Sequence, residues 1–239
     1  MERSYLIGIL YEAGSDTTTM ALQSFIVATV SYPNVMQDVQ KQLDDVVGDK
    51  MPMFEDRPHL AVIDAAAKET LRWRPVSAGG IPHAVTQDDE YMGLHIPAGS
   101  TVISNHWACN LDAEVYGENV LDFRPSRYLD NPDLPLASFG YGRRVCTGQH
   151  IAMNSLYINI ARVLWAFTVE PATDPRGDKV EIDTLAYSQG FNSGPLPFKA
   201  RFVPRSAARK AAVEKEWRSV EKDIGVQLDR IGQATSRIS

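Results

Sequence analysis

The sequence predicts a mainly α fold with small antiparallel β-sheets. Three observations carry this expectation. Tyr5 to Val30 form a largely apolar run, three later stretches repeat apolar residues every three or four positions, and a middle section alternates between turn signals.

Glu2 to Ser31 reads as one helix that Pro33 stops; about 30 residues at 1.5 Å each span roughly 45 Å. Glu12 and Asp16 in its middle make a membrane span costly, so the helix is expected to be buried and to cross the centre of a domain. Nothing caps its start, as though the chain began inside a protein, and no signal peptide is visible. Asn34 to Val47 continues as an amphipathic helix ended by Gly48, and His59 to Trp73 is a third, closed by Arg74-Pro75.

"IPHAVTQDDEYMGLHIPAGSTVISN" then alternates, with turn signals at Asp88-Asp89, Met92-Gly93 and Ala98-Gly99, and predicts a small antiparallel sheet. Asn105 to Tyr116 is a short helix, and Val120 to Ser138 is a proline-rich meander of the kind that long ordered loops form at functional sites. Helical spacing returns from Cys146 through Leu164. Strand-like pieces lie at Val180–Ile182 and Phe198–Val203. Residues 206–239 are polar, with Val213, Trp217, Val220, Ile224 and Leu228 spaced as on one amphipathic helix suited to pairing. The expected division is 1–205 and a helical tail, 206–239.

Composition narrows the function classes. With 44% hydrophobic and 23% charged residues the 239-residue chain is globular, and its net charge of −6 argues against a nucleic-acid surface. Two cysteines, Cys109 and Cys146, make no disulfide framework.

The stretch "FGYGRRVCTG", 139–148, is the chemically loaded one. Cys146 stands just before a helix and beside Arg143 and Arg144, all of which favour the thiolate that binds metal. Gly140, Gly142 and Gly148 allow a flat, bulky group to approach the backbone closely. A buried structural cysteine is the plain alternative. A zinc site is another, since "HWAC" and "CTGQH" supply His106, Cys109, Cys146 and His150.

Phe139-x-x-Gly142-x-Arg144-x-Cys146-x-Gly148 resembles the haem-binding signature of the cytochrome P-450 monooxygenases at every fixed position. The resemblance covers residues 2–206 and implies the C-terminal half of that fold. It implies a haem b cofactor with Cys146 as the axial thiolate ligand of its iron. Arg144 and His83 would meet haem propionates. In "ETLR" and "FRPSRY" it implies a structural triad of Glu69, Arg72 and Arg127, with Ser126 and Tyr128 where the family more often has glutamate and phenylalanine. "AGSDTT", 13–18, resembles the oxygen-activation site, where Ala13 and Gly14 clear space and Asp16 and Thr17 relay protons.

Residues 76–81 and 189–192 correspond to substrate-facing loops and are mostly small or apolar, which fits a lipophilic substrate. "GIPHAVTQDDEYMGLHIPAG" and "FNSGPLPFKARFVPR" are similar to filamentous-fungal members that oxidise polyketide or terpenoid intermediates in secondary metabolism. The expected reaction inserts one atom of O2 into such a substrate. No flavin or nicotinamide motif is present, so electrons are expected from an NADPH-cytochrome P-450 reductase at the endoplasmic reticulum membrane, the setting of a full-length relative. The family's membrane anchor and the helices over its substrate have no counterpart here. A non-catalytic relative acting through contacts of the tail is the alternative reading of the same residues.

Overall fold

The structure, a computed structural model, describes residues 2–227. Its helices are α1 (Glu2–Ser31), α2 (Pro33–Val47), α3 (Ala61–Trp73), α4 (His106–Asn110), α5 (Ala113–Tyr116), α6 (Ser126–Asp130), α7 (Gln149–Ala166) and α8 (Ala207–Ser219). The strands are β1 (His83–Ala84), β2 (Asp89–Tyr91), β3 (Leu94–Ile96), β4 (Thr101–Val102), β5 (Phe167–Pro171) and β6 (Ala200–Pro204).

Period decides the core. Leu156, Ile160 and Leu164 of α7, spaced by four, meet Met36, Val39 and Leu43 of α2 and Ile63, Ala66, Ala67 and Leu71 of α3, all buried in one cluster. The alanines let the α3 and α7 backbones approach closely. From α1 only the C-terminal third joins, through Ala21, Phe25, Val27 and Ala28. Residues 4–16 of α1 are exposed, Tyr5 and Tyr11 more than three-quarters so (76% and 79%). This corrects the expectation of a helix buried along its length: its apolar character runs all round, but only its last turns have α3, α7 and β5 to pack against. Among the described residues no helix is long and apolar enough to cross a membrane.

Other boundaries also shift. The expected sheet is two separate two-stranded ribbons, β1 with β4 and β2 with β3, both antiparallel. Residues 105–116 split into α4 and α5 because Asp112 accepts the Glu114 amide at 2.9 Å and starts a new helix. β5 follows α7 without a break and pairs with β6 from Phe167–Pro204 to Pro171–Ala200, a partner 33 or so positions away that local pattern does not reveal. Residues 180–182 are not a strand; Val180 makes one backbone bond, to Ala172 O at 2.8 Å. The tail is not one helix either. It stops at Ser219, because Glu221 and Asp223 side chains bind the amides of Asp223 and Gly225, and turns helical again at 224–227. Leu228 lies outside the described residues.

The first half of that tail is fastened to the core. Arg209 donates to Trp165 O at 3.0 Å, to Gly48 O at 3.2 Å and to Asp44 at 3.1 Å, and Arg205 also pairs with Asp44. Guanidinium groups thus satisfy orphan carbonyls at the C-terminal ends of α2 and α7, where cations are favoured by the helix dipole.

The meander is held by charge. Arg72, fully buried, donates from Nε and Nη2 to both oxygens of Glu69 at 2.7 Å and reaches the carbonyls of Asn110, Val120 and Asp122 at 3.0, 2.9 and 3.1 Å. Arg127 approaches Glu69 Oε1 at 3.5 Å and donates to the carbonyls of Tyr116, Glu118 and Asn119. The Arg124 amide donates to Glu69 Oε1 at 2.8 Å. One carboxylate therefore faces two guanidinium groups, and the carbonyls of an irregular segment find the donors that no sheet or helix gives them. At the far end of α3 the Leu71 carbonyl accepts from Ser138 Oγ at 2.8 Å, which fixes the residue preceding Phe139.

Replacing Glu69 by Gln keeps the shape and removes the only carboxylate between two buried cations. The expected loss is about 3–5 kcal/mol of folding stability, read by chemical denaturation, as for breaking other buried ion pairs. A loss within about 0.5 kcal/mol, the range of a surface substitution, would show that the carbonyls alone hold the arginines.

Candidate functional site

The loop 139–148 descends from the core to the surface. Phe139 ends a short 3-10 turn and packs on the core cluster, while Cys146 lies exposed at the other end. The Cys146 amide donates to Phe139 O at 2.8 Å, closing the loop on itself. Gly142 opens a second 3-10 turn at φ 57, a conformation that strains any residue with a Cβ. Gly148 caps α7 without a side chain, and a Cβ there would lie 3.9 Å from Cys146 Sγ, so glycine keeps that flank of the sulfur open. Cys146 thus sits three residues before the first residue of an 18-residue helix.

The polar side chains expected to serve the site are without protein partners. Among the described residues no hydrogen bond or ion pair engages the Cys146 thiol or the side chains of Arg144, His83 and Asp16. Arg144 and His83 are exposed, His83 on β1 opposite Val102. Asp16 is exposed on α1 and Thr17 is half-buried. α1 stays continuous through "AGSDTT" because Ser15 and Thr17 donate back to Tyr11 O and Ala13 O, at 2.6 and 3.1 Å. A Cβ on Gly14 would meet nothing within 4 Å.

The donor set fits the haem expected from the sequence. A free thiol at a helix N-terminus suits a soft metal ligand, unpaired Arg144 and His83 suit carboxylates, and the glycines leave the backbone unshielded. Zinc does not fit. His106 is buried with Nδ1 on Ser77 O at 3.1 Å, Cys109 donates to Ser104 O at 3.2 Å, and among the described residues no group of three His, Cys, Asp or Glu could hold a metal ion. The zinc-stapled alternative is therefore dropped.

The loops 76–81 and 189–192 come together across more than 100 residues of chain. Ser77 Oγ donates to Asn192 Oδ1 at 2.8 Å and the Ser193 amide donates to Val76 O at 2.7 Å. Behind the cysteine loop an open hollow of about 480 Å³ carries Arg57, Lys68 and His150 on its wall, with Asp64 paired to Arg57 at 2.8 Å. Sequence reasoning left His106 without a role outside the zinc alternative. Its neighbours carry no spacing that marks it, and only its burial distinguishes it.

Comparison with known proteins identifies the family. The family model described as cytochrome P-450 matches residues 2–200. The monooxygenase drtD of Aspergillus calidoustus is 44% identical over 227 residues, covering 95% of this chain and 43% of the relative. FrzL of a Cladobotryum species, also a cytochrome P-450 monooxygenase, is 41% identical over 233 residues, covering 97% and 45%. A zebra fish cytochrome P-450 solved with abiraterone superposes with a TM-score of 0.73 at 33% identity, over 81% of this chain and 46% of that one. The chain spans less than half the length of these relatives. With the family model covering most of the sequence, and fungal relatives aligned along nearly all of it, the chain belongs to the cytochrome P-450 family.

Proposed function

We propose that the chain is the haem-binding part of a haem-thiolate monooxygenase that inserts one oxygen atom from O2 into a lipophilic substrate in fungal secondary metabolism, of polyketide or terpenoid type. The observation that carries this reading is the exposed, unbonded Cys146 thiol at the end of a glycine-bearing loop, directly before α7. The fungal monooxygenases among its relatives support the reaction class. Residues 1–205 would form the haem-binding part and 206–239 its tail.

In this reading Cys146 would hold the haem iron, while Arg144 and His83 would meet haem propionates. The haem, when bound, supplies the activation of dioxygen, which no side chain here can perform. Phe139, Gly142 and Gly148 set the loop so that the sulfur faces outward. Thr17 and Asp16 handle protons: the Thr17 hydroxyl, bonded to Ala13 O, keeps its acceptor lone pairs, and Asp16 is a carboxylate open to solvent one residue away. The loops joined by Ser77 and Asn192 would form the wall that an apolar substrate meets. Glu69, Arg72 and Arg127 act at a distance, by fixing the segment that leads into the loop.

Electrons would come from an NADPH-cytochrome P-450 reductase, and Lys68, on the wall of the hollow behind the loop, suits a carboxylate of such a donor. The longer protein would work at the endoplasmic reticulum membrane.

The chain loaded with haem, reduced and exposed to carbon monoxide should give the strongly red-shifted Soret band of a thiolate ligand. Cys146→Ser should lose that band; an unchanged spectrum would overturn the ligand assignment, and absence of haem uptake by the parent chain would leave the non-catalytic reading standing. Thr17→Ala should retain haem while product formation with the reductase falls by roughly 10²-fold and peroxide is released instead. Product and NADPH remaining in step in that variant would remove Thr17 from proton delivery.

A further inference from the structure

The buried imidazole of His106, in segment 104–107, packs on loop 76–81, which in turn is bonded to loop 189–193. Its Nδ1 lies 3.1 Å from Ser77 O. A carbonyl only accepts, so Nδ1 carries the proton; burial lowers the pKa of the ring, against the opposing effect of that bond. The neighbouring amides extend the contact: Asn105 N donates to Gly79 O at 3.2 Å and Trp107 N to Ala78 O at 2.8 Å. Three successive carbonyls of one loop are thus received by three successive residues of another.

The ring is confined from both sides. Gly80 turns at φ 71 beneath it, and a Cβ there would stand 2.8 Å from Nε2 and 2.3 Å from Ser104 Oγ. Tyr141, from between Gly140 and Gly142 of the cysteine loop, packs edge-on against it with ring centres 5.8 Å apart. Beyond Ser77 the contact continues to Asn192 through its hydroxyl and to Ser193 through the Val76 carbonyl. An unbroken line of bonded or packed groups therefore runs from the cysteine loop through His106 to both loops.

We infer that His106 is a positioning residue, which fixes loops 76–81 and 189–193 relative to the cysteine loop and so sets the apolar wall a ligand meets. That the two loops form this wall rests on the proposed function; the coupling itself does not. A leucine at 106 would fill the space without the donor, whereas an asparagine offers an N–H at the place of Nδ1.

Hydrogen exchange on the full chain tests the coupling. In H106L, segments 76–81 and 189–193 should both exchange about tenfold faster, as for the loss of one buried hydrogen bond, with 61–73 of α3 unchanged; H106N should restore both. Unaltered loops in H106L, or no restoration by H106N, would overturn the inference. If H106L loses protection throughout, S77A serves as the second arm: 189–193 should exchange faster with 104–107 unchanged, and an unaltered 189–193 counts against the coupling. On the haem-loaded chain, imidazole and 4-phenylimidazole separate the wall from the iron. H106L should weaken 4-phenylimidazole about tenfold and leave imidazole as it was; equal loss for both would refute the positioning role. Failure to load haem would instead sink the proposed function, leaving the exchange result to stand.

Discussion

The fold around the cysteine loop depends on one buried carboxylate. Glu69 lies between Arg72 and Arg127 with no access to solvent, and each guanidinium also donates to carbonyls of residues 110–122. Burying two cations against one anion is costly in itself; here it is sustained because the cations replace the sheet or helix that the segment lacks. The meander stays ordered without regular structure, and it delivers Leu136, Ala137 and Ser138 to the end of α3, from which Phe139 starts the loop.

Against this rigid base the site residues are notable for what they leave open. Cys146, Arg144, His83 and Asp16 present polar atoms to solvent, while the residues that lead into the cysteine loop, Phe139, Ser138, Glu69 and Arg72, are buried or half-buried. Such a division is expected where a large prosthetic group supplies the missing partners: the protein bonds its own scaffold and leaves the ligand-facing groups free. His106 belongs to the scaffold side, since it is buried between loop 76–81 and Tyr141 of the cysteine loop.

The exposed turns of α1 have a similar origin. Tyr5, Leu6, Ile9 and Leu10 are chemically core residues, and they stand in solvent among the described residues because α3, α7 and β5 reach only as far as Ala21. The relatives, more than twice as long as the stretch matched here, belong to the same family, and an apolar helix that size is stable only with a partner along it.

The sequence by itself determined the main helices and marked residues 139–148 as the chemically loaded stretch. Prolines and glycines at 33, 48 and 148 end or begin helices through backbone geometry that needs no neighbour, and apolar spacing assigns the faces of α2, α3 and α7 because their period is intrinsic. Cys146 was legible since a thiol between arginines, glycines and a helix start is a local pattern. Tertiary structure decided what depends on a distant partner. β5 exists because β6 pairs with it, 180–182 fails as a strand for want of one, and the tail breaks where acidic side chains capture its amides. The triad's net charge, the union of loops 76–81 and 189–193, and the place of His106 all arise from contacts between residues tens of positions apart. Such contacts leave no period in the sequence, because only the folded chain brings their donors and acceptors within bonding distance.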